Sequence, residues 1–249
     1  MAGHSKWANI KHRKAIVDAR RGKVFTKLSK EIIVAARLGG GDPESNARLR
    51  MAIQNARAVS VPNDNIKRAI QRGTGEVEGA LYEDVVYEGY GPGGVAIIVE
   101  ATTDNRNRTV ADVRAAFTKA EGSLGESNSV AWCFQRSGEV AIQTSLTGDE
   151  LLLFAADVGA DDVVEHDEGQ TLSCSVETLG TVCRALVERS IHVVRTGFVW
   201  SPLQRVVVSD LLHVKRLVKL LDTLEDLDDV QYVYNNADVG DDVMDLMHP

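Results

Sequence analysis

Lys6, Lys11, Arg13 and Lys14 crowd the start of the chain, with Trp7 and His12 among them and Asn9 alongside. Phosphates favour this mixture. Lysine and arginine neutralise charge and release counterions, while tryptophan and histidine rings can stack on bases. Arg20, Arg21, Lys23 and Lys27 continue the basic run, and Lys67, Arg68 and Arg72 close it. Asp18 is the only acidic residue among the first thirty. A solvated helix face normally mixes both signs, so this excess points to a polyanion.

Other chemistries find little support in residue type and spacing. Gly89-Tyr90-Gly91-Pro92-Gly93-Gly94 resembles a nucleotide loop superficially, but the apolar run Val95-Ala96-Ile97-Ile98-Val99 that follows reads as a strand, where a dinucleotide fingerprint needs a helix. Cys133, Cys174 and Cys183 lack CxxC spacing and read as small buried hydrophobes. His4 and His12 sit in basic surroundings that repel a divalent ion, and His166, among Glu165, Asp167 and Glu168, reads as part of an acidic solvated loop. No nucleophile-elbow or zinc-protease signature occurs. The expectation is a protein that is not an enzyme and needs no cofactor or metal.

The overall balance conceals the asymmetry. The 249 residues carry a formal net charge of −8. Residues 1–72 hold 7 Lys and 9 Arg against five acids, a charge of +11, which leaves −19 for the rest. Asymmetry of this size suggests that one end meets nucleic acid. Three cysteines make no disulfide framework, which favours a reducing compartment. No apolar run approaches the roughly 18 residues of a membrane span, so no membrane partner is expected. The basic start resembles a transit peptide, but it runs on through Arg72 and has a patterned apolar face, so a cytoplasmic location is expected.

Positioning these groups falls first to helices. Phe25, Leu28, Ile32 and Ala35 form one stripe of a helix over 18–37, with Arg20, Lys23, Lys27, Lys30 and Arg37 nearly opposite. Asp42-Pro43 reads as the cap and first turn of a second helix with Leu49, Ala52, Ile53, Ala56 and Val59 inside. Asn63 or Asp64 caps a third, with Ile66, Ala69 and Ile70 inside. From residue 80 the period changes. Strands are expected over 85–90, 95–101 and 130–135, with a helix over 109–120 and a break at Ser137-Gly138. Residues 139–200 then give strand, helix, strand, strand, helix, strand, the ferredoxin-like order. After a second break at Ser201-Pro202 come a strand over 205–209, a helix over 213–224 and a strand over 230–234. The fold class is α+β: a small N-terminal helical bundle followed by two α/β domains, one ferredoxin-like and inserted in the other. The boundaries are 1–78 for the basic helical domain, 79–136 plus 202–249 for the discontinuous α/β domain and 137–201 for the insert.

Several blocks resemble one family. Met1-Ala2-Gly3-His4-Ser5-Lys6-Trp7-Ala8-Asn9-Ile10-Lys11-His12-Arg13-Lys14 is similar to the opening of the YebC/PmpR family. So are Val61-Pro62-Asn63-Asp64-Asn65-Ile66, Tyr87-Glu88-Gly89-Tyr90-Gly91-Pro92-Gly93-Gly94, Thr102-Thr103-Asp104-Asn105-Arg106-Asn107-Arg108-Thr109 and Val130-Ala131-Trp132-Cys133-Phe134. Asn63 departs from the family pattern, which has lysine there. The resemblance implies a three-domain cytoplasmic protein without enzymatic activity. It also implies a DNA-binding transcriptional regulator, although mitochondrial relatives are described as translational activators and a ribosome-associated role has been assigned to the family.

The expected partner is therefore nucleic acid: DNA as the leading reading, with ribosomal RNA and the ribosome as the alternative. The residues expected to contact it are Lys6, Trp7, Asn9, Lys11, His12, Arg13, Lys14, Arg20, Arg21, Lys23, Lys27, Lys67, Arg68 and Arg72. A monomer is favoured. An Mg²⁺-dependent nuclease using the acidic clusters and a protein scaffold using the ferredoxin-like sheet are the competing classes.

Overall fold

The computed structural model describes residues 19–166 and 169–240, with the backbone alone at 19–21. Helix α1 (Ala19–Gly39) is followed by α2 (Ala47–Ala58) and α3 (Asn63–Gly73). Their shared core is Ile32, Leu49, Ala52, Ala56, Ile66 and Ala69. Residues 32 to 36 of α1 are all buried, so this stretch of the helix is covered on every side. Gly73 lets α3 lie against α1, since a Cβ there would sit 2.5 Å from the Ile33 carbonyl oxygen.

The second helix does not open at Asp42-Pro43. Those residues form a turn, in which the Asp42 carboxylate accepts from the Glu44 amide and the Ser45 hydroxyl. The cap is Asn46, whose Oδ1 accepts from the Leu49 amide at 3.0 Å while Nδ2 donates to the carbonyls of Ala35 and Gly40. One buried amide thus closes the end of α1 and opens α2. No local pattern could rank Asn46 above Asp42, because its advantage lies in reaching α1.

The first sheet has the order β3-β1-β2-β9, formed by β1 (Glu83–Tyr90), β2 (Ala96–Thr103), β3 (Ser123–Leu124) and β9 (Val230–Asn235). It is antiparallel throughout. Helices α4 (Arg106–Lys119) and α7 (Leu211–Asp226) cover one face, where Ile97, Val99, Val113, Phe117, Leu217 and Leu220 form the main core. This sheet therefore takes strands from both sides of the insert. A short parallel pair, β8 (Val206–Val207) and β10 (Ala237–Asp238), lies beside it.

The insert carries β4 (Phe134–Gln143), α5 (Gly148–Asp157), β5 (Asp162–His166), β6 (Gly169–Cys174), α6 (Leu179–Glu188) and β7 (His192–Pro202). Its order, β5-β6-β4-β7, is the ferredoxin-like arrangement. Val140, Ile142, Leu172, Val182 and Leu186 form its core.

The breaks expected at Ser137-Gly138 and Ser201-Pro202 are absent. β4 and β7 pair without interruption from Phe134 opposite Pro202 to Gln143 opposite His192, apart from a register shift at Ala141/Ile142. Gly138 serves packing: a Cβ would lie 2.9 Å from the Cys174 sulfur and from Leu179. Pro202 is tolerated because it ends an edge strand.

The bundle docks on that edge. Asn55, buried in α2, donates from Nδ2 to the Thr196 carbonyl at 2.8 Å and accepts from the Thr196 amide at 3.0 Å. A side-chain amide thus takes the place of a fifth strand. Replacing Asn55 with Ala leaves both backbone groups buried without partners. The expected loss is about 2 kcal/mol of unfolding free energy, read as a lower midpoint in a urea titration.

Candidate nucleic-acid interface

The basic stripe of α1, expected nearly opposite the apolar one, turns Lys23, Lys27 and Lys30 toward the sheet domain. Lys23, Lys27 and Lys30 recur at helical spacing and reach the C-terminal end of α7. Lys23 Nζ donates to the Asp226 carbonyl at 3.0 Å, and Lys27 Nζ to the Glu225 carbonyl at 3.0 Å. Lys30 Nζ donates to the Asp228 carbonyl at 2.9 Å and to Asp229 Oδ1 at 2.8 Å. Ammonium groups are favoured here because the last carbonyls of a helix lack partners and carry the negative end of its dipole.

Asp229 is the hub of this junction. Its Oδ2 accepts from Arg108 Nη2 at 2.6 Å, Thr109 Oγ1 at 2.8 Å and Thr103 Oγ1 at 3.1 Å. Burial alone would raise its carboxyl pKa, but hydrogen bonds from Arg108, Lys30 and Thr109 outweigh that and hold it at about 2. Asn105 caps α4 by accepting from the Arg108 amide, which sets the arginine at the helix start. The ring of Tyr82 lies 5.3 Å from the Lys30 ammonium. A cleft of about 960 Å³ opens between α1, α4 and the end of α7, lined among others by Lys23, Lys27, Arg108, Asp104 and Asp228.

A second basic surface lies on α2 and α3. Arg57, Lys67, Arg68 and Arg72 are exposed. None pairs with a carboxylate among the described residues, whereas Arg48 is held by Asp84 at 2.5 Å and Arg50 by the carbonyls of Pro43 and Glu44. Arg37, Arg57 and Arg72 each stand in the last turn of their helix, where they also complement its dipole. Lys67 and Arg68 have no such role. They lie in the middle of α3, away from either end of its dipole.

The fourteen residues expected at the interface therefore divide. Lys6, Trp7, Asn9, Lys11, His12, Arg13 and Lys14 lie outside the described residues. Arg20 and Arg21 lie on the first turn of α1, where the backbone alone is described. Lys23 and Lys27 meet the end of α7, and Lys67, Arg68 and Arg72 come together on exposed α3. The Asp229 cluster escaped the sequence reading. Its one local signal was the run Thr103-Asp104-Asn105-Arg106-Asn107-Arg108-Thr109, which supplies three of the four donors to Asp229. The fourth donor, Lys30, comes from a distant helix.

A separate polar junction fixes the insert to the first sheet. Glu100 accepts from Trp200 Nε1 at 2.9 Å and forms an ion pair with Arg136 Nη1 at 2.9 Å, and the Arg136 guanidinium stacks 4.7 Å from the Trp200 ring. Every charge in it is partnered, so it reads as a joint. Among the described residues no group of three or more His, Cys, Asp or Glu could hold a metal ion, and no helix is long and apolar enough to cross a membrane.

Residues 5–76 match the family model described as the TACO1/YebC protein N-terminal domain, and residues 82–237 match that of the TACO1/YebC second and third domain. A protein of Halothermothrix orenii, named "Probable transcriptional regulatory protein", is 51% identical over 248 residues, covering 98% of each chain. One of Trichlorobacter lovleyi with the same name is 49% identical over 247 residues, covering 99% of this chain and 100% of its own. The crystal structure of a conserved hypothetical protein from Aquifex aeolicus superposes with a TM-score of 0.90 at 46% identity, covering 95% of this chain and 98% of that one.

Proposed function

The chain belongs to the TACO1/YebC family, and from that premise we propose that it is a DNA-binding transcriptional regulator, acting by binding rather than by catalysis, with its helical domain as the contact surface. The observation that carries this reading is the exposed set Arg57, Lys67, Arg68 and Arg72, without carboxylate partners among the described residues, on the domain whose first 72 residues carry +11. Cations left open on a helical bundle, in a chain region whose sequence also holds Lys6, Trp7, Lys11 and His12, form the electrostatic footprint of phosphate recognition. The −19 of the remainder repels polyanion from the other surfaces and favours docking end-on through the bundle. We take 1–78 as the binding unit, with the discontinuous α/β domain and the ferredoxin-like insert that runs from β4 through β7 as the two domains behind it.

A competition between duplex DNA and a structured RNA hairpin for the full-length chain tests this. The expected result is that the duplex wins at physiological salt, with an affinity that falls steeply as salt rises. Preference for the hairpin would overturn the transcriptional reading and favour a ribosomal target. Salt-independent binding to either would overturn the basic surface as its cause.

A further inference from the structure

The basic face of α1 is already engaged, and its occupant has the chemistry of a phosphate track. Residues 225–229 read Glu-Asp-Leu-Asp-Asp, four acids in five positions, and the carbonyls of Glu225, Asp226 and Asp228 together with the Asp229 carboxylate take the ammonium groups of Lys23, Lys27 and Lys30. We infer that this acidic turn is an intramolecular competitor for nucleic acid, which binds along α1 by taking Lys23 and Lys27 from the turn while Lys30 stays in place. The inference rests on the nucleic-acid reading of the helical domain.

Burial along the row supports a graded release. Lys30 and Asp229 are each 8% exposed at the side chain and lie 2.8 Å apart, whereas Lys23 is 46% exposed, Asp226 is 72% exposed and their charged atoms are 3.6 Å apart. Breaking the inner pair would strand two buried charges, so it is the fixed end. The outermost contact, at Lys23, lies in water, where an ion pair contributes little and salt screens it, and Lys27, half-buried, donates to the Glu225 backbone carbonyl between these extremes. A polyanion that takes both outer lysines also releases its own counterions, so the exchange favours nucleic acid at low salt. The open cleft beside Lys23 and Lys27 gives a strand access to them without unfolding either helix. The turn then sets a threshold: weakly charged ligands leave it closed, and a phosphate backbone displaces it.

Asp226 and Asp228 are exposed, so Asp226→Asn with Asp228→Asn weakens the competitor without touching the buried hub. In the full-length chain this variant is expected to bind a labelled duplex DNA about fivefold more tightly than the parent. Asp149→Asn with Glu150→Gln, an equal charge change on the exposed start of α5, is expected to gain less than about twofold. In a Lys23→Gln, Lys27→Gln background, the gain from Asp226→Asn and Asp228→Asn is expected to vanish, because nothing remains to compete for. A gain no larger than that of the control, or one that survives loss of both lysines, overturns the inference while leaving nucleic-acid binding intact. If neither the parent nor the Asp226→Asn, Asp228→Asn variant binds duplex DNA or a structured RNA hairpin, the reading of the helical domain fails instead.

Discussion

Exchanging Lys6, Lys11, Arg13 and Lys14 together for Ala is expected to weaken duplex DNA binding by about three to four orders of magnitude near 0.1 M salt and to flatten its salt dependence by about 3.6 units of slope. The size follows from counterion release. Each phosphate contact contributes roughly 0.9 to the slope on duplex DNA, and that contribution sets the affinity lost at low salt. The loss should be uniform across sequences, because phosphate contacts position a protein without reading bases. Titration of a labelled duplex at several salt concentrations, for parent and variant, checks both numbers. Unchanged slope would mean that these four residues make no phosphate contacts and that the exposed cations of α3 carry binding alone.

Replacing Asp229 with Ala should destabilise the protein by about 3–5 kcal/mol, because it strands the buried Lys30 ammonium and removes the acceptor of Arg108, Thr103 and Thr109. The same residue confers a pH dependence of definite sign. The folded carboxyl, at about 2, lies below its ordinary value of 3.8. Its contribution is therefore fully present above about pH 4 and is lost as pH falls toward 2. Converted at 1.36 kcal/mol per unit, that contribution is about 2 kcal/mol. Urea unfolding between pH 2 and 5 should show this slope in the parent and a shallower one in Asp229→Ala. A companion Lys30→Met exchange should recover much of the loss at neutral pH, since it removes the stranded charge. Equal stability of parent and Asp229→Ala would show that the junction between α1 and the sheet domain does not depend on this hub.

Much of this architecture is written in local patterns. The α1 stripe of Phe25, Leu28, Ile32 and Ala35, the strand pair β1 and β2 around their glycine-rich turn and the ferredoxin-like order of the insert are all legible in local pattern, and the structure has each. The misreadings at the two breaks and at the cap of the second helix share one cause. Ser137-Gly138 and Ser201-Pro202 carry turn chemistry, yet tertiary pairing of β4 with β7 runs through both. Asp42-Pro43 is the better local cap, yet Asn46 prevails because it also reaches the end of α1. The candidate site divides the same way. The basic composition of residues 1–72 is visible in the sequence, and so is the exposure of Lys67 and Arg68 opposite Ile66, Ala69 and Ile70. That Lys23, Lys27 and Lys30 meet an acidic turn about two hundred residues away is not, because no periodicity encodes which distant carbonyls a lysine finds. The same distance hides Asp229, which reads locally as one acid in an acidic stretch.

The central claim is that nucleic acid engages the helical domain. Photo-crosslinking of the full-length chain to a labelled duplex DNA, followed by mass spectrometry of the attached peptides, tests it most directly. The account predicts crosslinks within residues 1–72, including α3 around Lys67 and Arg68. Crosslinks concentrated in residues 139–200, with none in the first 72, would contradict it.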